Sequence, residues 1–142
     1  LLLLLFTNEC NLAKKFYFLF CSILKNHYIV CGGGQTGRPV LAELILSGEP
    51  VVLIEQSQEI IDRCKAIWDD LLYVLGDASD DANLKAAGIE NASGIIVSLA
   101  LDKDNLFTTM SARMLNSRIR IISRTTDTAL EAGADLLCVI LE

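Results

Sequence analysis

The sequence has 142 residues, 52% of them hydrophobic, and a formal net charge of −6, which suits one soluble domain with a real core rather than two. The acidity is concentrated: residues 1–26 hold Lys14, Lys15 and Lys25 against Glu9, and the remainder carries 9 basic and 17 acidic groups, net −8. Such a body repels phosphate backbones, and no basic run with interleaved aromatics offsets it, so nucleic acid is excluded as a partner.

The chain opens on two apolar runs, "LLLLLF" and "FYFLFCSIL", separated by "TNECNLAKK". Neither approaches the roughly 20 residues of a membrane helix. A signal peptide places its charges before its apolar core, and here the leucines come first. Residue 1 is Leu, and the sequence is read as part of a longer chain. Residues 1–26 are expected to be an apolar N-terminal segment: a helix packing on the domain or a membrane-proximal linker. The second reading is preferred, because the greasy, weakly basic character stops abruptly at "NHYIV".

From His27 onward, apolar runs recur at Tyr28–Cys31, Val51–Ile54, Leu71–Leu75, Gly94–Leu99, Ile119–Ser123 and Leu136–Leu141. They do not alternate polar with apolar, as expected of strands buried on both faces. Helical stretches separate them. The first carries Val40, Leu41, Leu44 and Ile45 on one stripe and ends near Gly48. The second starts at Ser57, an N-cap residue, with Glu59 in its first turn. The third runs from about Asp80 to Ala87 and closes on Gly88, the fourth from Asn105 to about Leu115, the fifth over roughly Thr128–Ala132. Six strands alternating with five helices predict a single α/β domain over residues 27–142: a Rossmann-like, doubly wound, parallel six-stranded sheet in the order 3-2-1-4-5-6.

Between the first strand and first helix, Gly32, Gly34 and Gly37 satisfy G-x-G-x-x-G, with Gly33, Gln35 and Thr36 between them. The first glycine permits the tight turn, the second a close approach of pyrophosphate, the third close helix–strand packing, and the helix N-terminus offers free N–H groups to phosphate. Arg38 is placed to reach phosphate. Pro39 fits poorly with a helix starting at Gln35; either the helix begins a residue or two later or its first turn is loosened. Glu55 ends the second strand 23 residues after Gly32, where a carboxylate accepts both ribose hydroxyls of an adenosine and repels a 2′-phosphate. Gly76-Asp77-Ala78 after the third strand and Ser98 after the fourth converge on the same carboxyl edge of the sheet.

The odd, scattered set Cys10, Cys21, Cys31, Cys64 and Cys138 contains no C-x-x-C, and His27 pairs with none of it at ligand spacing. Buried thiols in a reducing compartment are expected, and no metal site. No Tyr-x-x-x-Lys, nucleophile elbow or P-loop lysine is present. An oxidoreductase or other Rossmann enzyme is therefore the alternative, a ligand-free assembly domain a further one, and a non-catalytic sensing module the preferred reading.

The order strand-GxGxxG-helix-strand-Glu, then "GDASDDANLKAAGIENASGIIVSL", "DKDN", "RIRIISRTTD" and "LEAGAD", resembles the RCK, or TrkA-N, domain over residues 27–142. This is the regulator of potassium conductance of prokaryotic potassium channels and uptake systems. The resemblance implies binding of NAD(H) or an adenine nucleotide (ATP, ADP or AMP) at Gly32, Gly34, Gly37, Glu55 and Gly76-Asp77-Ala78. It also implies homodimers that assemble into a ring, a potassium channel pore or transporter membrane subunit as partner, a place on the cytoplasmic side of the cell membrane, and a smaller C-terminal lobe outside these residues. Some calcium-gated members carry carboxylates where this chain has Ser98, Arg124 and Thr126, so calcium at that place is not expected.

Overall fold

The computed structural model describes residues 19–21, 23–125 and the backbone of 137–141. Five parallel strands form the body of the sheet: β1 (Tyr28–Cys31), β2 (Val51–Glu55), β3 (Leu72–Leu75), β4 (Gly94–Val97) and β5 (Arg120–Thr125). Their spatial order is β3-β2-β1-β4-β5. Because β1 lies at the centre and the chain winds first one way and then the other, helices cover both faces. α1 (Gly37–Leu46) and α2 (Gln58–Ile67) belong to one half; α3 (Asp81–Ala86), a 3-10 turn at Ile89–Asn91 and α4 (Asp102–Leu115) belong to the other.

Two separate cores follow from the two-residue period of a strand. Val30, Leu53 and Ile96 pack with Leu41 of α1 and Ile61 and Cys64 of α2. Their neighbours Ile29, Ile54, Ile95 and Ile121 point the other way and pack with Leu84, Ile89 and Ala112. Each such side chain, removed fully from water, contributes about 1.5–3 kcal/mol. The central strands β1, β2 and β4 are buried on both sides and have no room for a polar alternation, which is why their runs are apolar; β3 and β5 are only partly buried, and β5 carries Arg120, Ser123 and Arg124.

Leu137–Leu141 runs along β5 antiparallel, with Thr125 opposite Leu137. The expected parallel sixth strand is corrected here. A parallel return must climb back over the height of a six-residue strand, about 20 Å, whereas a one-turn helix rises only about 7 Å. Eleven residues, 126–136, separate the two strands, fewer than the dozen or more that a parallel crossover needs. The expected helix over Thr128–Ala132 lies outside the described residues.

Helix starts follow their caps. Ser57 accepts at Oγ from the Ile60 N–H, Asp80 from the Ala82 N–H, and Gly88, at φ +75°, closes α3 in the left-handed conformation. α1 begins at Gly37, two residues later than Gln35, so Pro39 falls in the first turn, where its missing N–H is no loss. α4 begins at Asp102 rather than Asn105, with Asp102 and Asp104 at its positive end. Its faces are reversed from those of an ordinary surface helix. Thr108 and Ala112 are fully buried, while Leu106, Phe107, Met110 and Met114 are more than half exposed.

The chain enters β1 through a fixed junction. Cys21 is fully buried and packs in one of the two cores with Leu24 beside it. The Asn26 N–H donates to the Asn91 carbonyl at 2.9 Å, and the buried His27 ring meets the Ala87 carbonyl through Nε2 at 2.7 Å. Among the described residues, no helix is long and apolar enough to cross a membrane.

Candidate functional site

In-register parallel pairing brings the carboxyl ends of the central strands to one level. The Gly32 N–H donates to Ile54, the Gly76 N–H to Glu55 and the Ser98 N–H to Cys31, all at 2.9–3.0 Å. These bonds extend the ladders one residue past the strands, so Gly32, Gly76 and Ser98 stand side by side. They border a cleft of about 520 Å³, within the range of small-molecule sites.

The glycines divide the work. Gly32 adopts φ +94°, a conformation other residues rarely take. A Cβ on Gly37 would lie 1.7 Å from the Gly32 carbonyl oxygen and 2.8 Å from Ser98 Oγ, so this glycine is the close-packing one. Gly33 faces away from the cleft: a Cβ there would meet Ile60, Leu53 and Cys64 at 3.0–3.5 Å. Of the four loop glycines, only Gly34 faces empty space, with nothing within 4 Å, and it lines the cleft. α1 starts just behind it. Thr36, its N-cap residue, makes no side-chain cap bond, and the first turn holds no acid; the Arg38 N–H is taken by the Gly34 carbonyl at 3.0 Å and Pro39 has none, so the N–H groups of Thr36 and Gly37 are the ones offered to an anion.

Glu55 is 8% exposed and borders the cleft. Its Oε1 accepts from the Gly33 N–H at 3.2 Å and its Oε2 from the Ser57 N–H at 2.8 Å. The carboxylate thus ties the glycine loop to the start of α2, and each oxygen keeps a further lone pair for a ligand hydroxyl. Ser98 is equally committed: its hydroxyl donates to the Cys31 carbonyl at 2.9 Å. At the far wall, Asp77 accepts at Oδ1 from the Ser79 N–H and hydroxyl, while Asn83 Nδ2 donates to the Asp77 carbonyl. This network holds the Gly76-Asp77-Ala78 turn, and the Asn83 side chain fills the space a Cβ on Gly76 would need.

Of the residues singled out from the sequence, all line the cleft except Gly33, Gly37 and Arg38. Arg38 instead exerts its charge on Cys64: burial pushes that thiol's pKa up, the Arg38 guanidinium draws it partly back, and Glu55 raises it. Cys21 and Cys31 are also buried free thiols, and burial raises Cys21 to about 11 and Cys31 further. Among the described residues, no cluster of His, Cys, Asp or Glu is arranged to hold a metal.

Sequence reasoning missed Asn105. It is 1% exposed and binds the Leu99 backbone twice, Oδ1 accepting from the N–H at 2.8 Å and Nδ2 donating to the carbonyl at 3.1 Å. That pins the loop after β4, a wall of the cleft. Its neighbours in "DKDN" are surface acids and a lysine, so nothing in the local pattern marks it as buried. Arg124 and Asp104 also line the cleft, although neither was expected to serve a ligand.

The TrkA-N domain family matches residues 28–137. Potassium channel protein 1 of Methanocaldococcus jannaschii is 36% identical over 117 residues, covering 79% of this chain and 35% of that protein. The chain thus spans about a third of that relative's length. Among solved structures, the GsuK RCK domain is 34% identical with a TM-score of 0.56, over 69% of this chain and 20% of that one. The GsuK channel bound to NAD is similar at 20% identity and a TM-score of 0.57, over 70% of this chain and 18% of that one; this likeness is one of fold. The match starts at the first residue of β1, takes in the glycine loop, Glu55 and the Gly76-Asp77-Ala78 turn, and ends at the first residue of the antiparallel strand: the chain belongs to the TrkA-N domain family.

Proposed function

We propose that residues 27–142 form one regulatory domain that binds NAD(H) or an adenine nucleotide and passes its ligand state to a potassium channel or potassium transporter at the cytoplasmic side of the cell membrane. Residues 1–26 are the segment that leads into it. One observation carries the reading: the open face of Gly34, the uncapped N-terminus of α1 and Glu55 meet in a single cleft. A phosphate chain over Gly34 takes the α1 N–H groups, and a ribose beside β2 donates to Glu55. Adenine lies toward Gly76-Asp77-Ala78. The M. jannaschii relative is a potassium channel protein and GsuK has been solved with NAD, which supports this choice of ligand and partner.

The role is regulatory rather than catalytic. The described cleft lining contains no His, Lys, Tyr or Cys, and its Glu55, Asp77 and Ser98 are engaged by neighbouring N–H, hydroxyl and carbonyl groups rather than poised as acid, base or nucleophile. A ligand then acts by binding one conformation of the assembly better than another. That assembly begins with a homodimer through α4, whose exposed Phe107, Met110 and Met114 form a continuous apolar face, and continues to a ring in the complete protein. Isothermal titration of the chain with NAD, NADH, ATP, ADP and AMP tests the ligand reading. Saturable binding of at least one, weakened tenfold or more by Glu55→Gln, is the expected outcome. Binding of none, or binding indifferent to Glu55, refutes it.

A further inference from the structure

Arg124 is the single basic residue among the described residues that line the cleft. It is the fifth residue of β5, and the register pairs Ser123 with Val97, which sets Arg124 level with Ser98. Its Nε is shielded from solvent and has no hydrogen-bond partner among the described residues. A buried guanidinium N–H without an acceptor is costly. Such a group on a cleft wall is held ready for an anion that arrives with the ligand.

Its position says which anion. In the sheet order, Glu55 lies on β2, one strand from β1 on one side, and Arg124 lies on β5, two strands from β1 on the other. With strands about 4.8 Å apart, Arg124 sits about 10 Å from the glycine loop and about 14 Å from Glu55 at the backbone. An adenosine whose ribose is held at Glu55 places its 5′-phosphate over Gly34 and the α1 N-terminus. That first phosphate is served by backbone N–H groups. The next anionic group along the chain is the one carried toward β5.

We infer that Arg124 reads the phosphate beyond the adenosine 5′-phosphate, and so makes the cleft selective for a nucleoside diphosphate or a dinucleotide pyrophosphate over a monophosphate. This rests on the nucleotide reading of the cleft. The planar fork donates to a phosphate oxygen in a charge-assisted bond, the strong kind in a shielded site. Asp104, on the first turn of α4, lines the same cleft, and its carboxylate opposes a chain lengthened by further phosphates.

Titration calorimetry of AMP, ADP and NADH against the wild-type chain, Arg124→Gln and Arg124→Lys tests this. The expected result is roughly a ten- to hundredfold loss of ADP and NADH affinity in Arg124→Gln, with AMP changed by less than about threefold. Loss for ADP alone identifies a nucleoside diphosphate as the ligand, and loss for NADH alone a dinucleotide. Equal loss for AMP, or no loss for either larger ligand, overturns the inference while leaving nucleotide binding in place. A wild-type chain that binds none of the three, nor ATP or NAD, overturns the nucleotide reading itself. If Arg124→Gln loses its far-UV spectrum, Arg124→Lys carries the test: a point charge without the fork is expected to lower ADP affinity severalfold at constant AMP affinity, and an unchanged ratio refutes the assignment.

Discussion

Replacing Gly37 with Ala and Gly34 with Ala makes the same chemical change three residues apart, with opposite consequences. At Gly37 the new methyl would lie 1.7 Å from the Gly32 carbonyl oxygen. Restoring an ordinary contact of 3.4 Å requires the two chains to part by about 1.7 Å. Neither is free to move: the Gly32 N–H is bonded to Ile54 and its carbonyl receives a weak bond from Ser98. Overpacking of this kind costs about 1–3 kcal/mol, and a broken backbone bond about 1 more. Alanine's better helix propensity returns at most about 1 kcal/mol, so strain wins. The net, about 1–3 kcal/mol, is expected to lower the Tm by roughly 5–10 °C in a domain of this size. Gly34→Ala puts its methyl where no atom lies within 4 Å, so stability should stay within about 0.5–1 kcal/mol of wild type. That methyl occupies the approach of a phosphate, and nucleotide affinity should fall tenfold or more. Thermal denaturation followed by circular dichroism, paired with calorimetry, separates the two. Equal melting of Gly37→Ala and wild type, or a Gly34→Ala that melts as early as Gly37→Ala, would refute the division of roles among the glycines.

Glu55→Gln should cost stability as well as ligand: an amide nitrogen must face either the Gly33 or the Ser57 N–H, a loss of about 1–3 kcal/mol readable by urea denaturation. Asn105→Ala strips both partners from the Leu99 backbone. It is expected to cost about 2–3 kcal/mol and to speed amide exchange at residues 99–101. Burial lowers the His27 pKa below its ordinary 6.5, only partly offset by the Ala87 bond. The neutral ring therefore contributes stability that is present above pH 6.5 and is lost as pH falls through the folded-state pKa; His27→Gln should flatten that part of the stability–pH curve. Paired substitution of Phe107 and Met110 by Asp should convert a dimer seen by sedimentation into monomer, and a dimer that survives it places the interface elsewhere.

Much of this fold is legible in the sequence because its signals are local. Both-face-buried strands read as unbroken apolar runs, and Ser57, Asp80 and Gly88 punctuate helices by chemistry that needs only a few neighbours. The glycine spacing and Glu55 are legible for the same reason. What is not legible depends on contacts across the sheet. Gly33 is set by α2 and β2 rather than by a ligand, because Ile60 and Cys64 reach it from residues far along the chain. Asn105 sits among charged residues, and only the path of the loop after β4 shows that it is buried. Arg124 looks like an ordinary strand-end cation until β5 is known to flank β4 at the level of Ser98. The direction of the last strand turns on the reach of residues 126–136, a matter of length that the apolar run itself does not encode.

The junction into β1 has a mechanical consequence. β1 is four residues long, about 13 Å; its far end carries the glycine loop and its near end is clamped by His27, Asn26 and Cys21. A close-packed strand flanked on both sides by others neither stretches nor bends appreciably. Among the described residues, these contacts fix Cys21, Leu24 and Asn26 to the body, so the cleft and this junction are expected to move together. The body and this entry junction thus form one rigid piece, and a glycine inserted between Asn26 and His27 is expected to loosen it without touching the cleft.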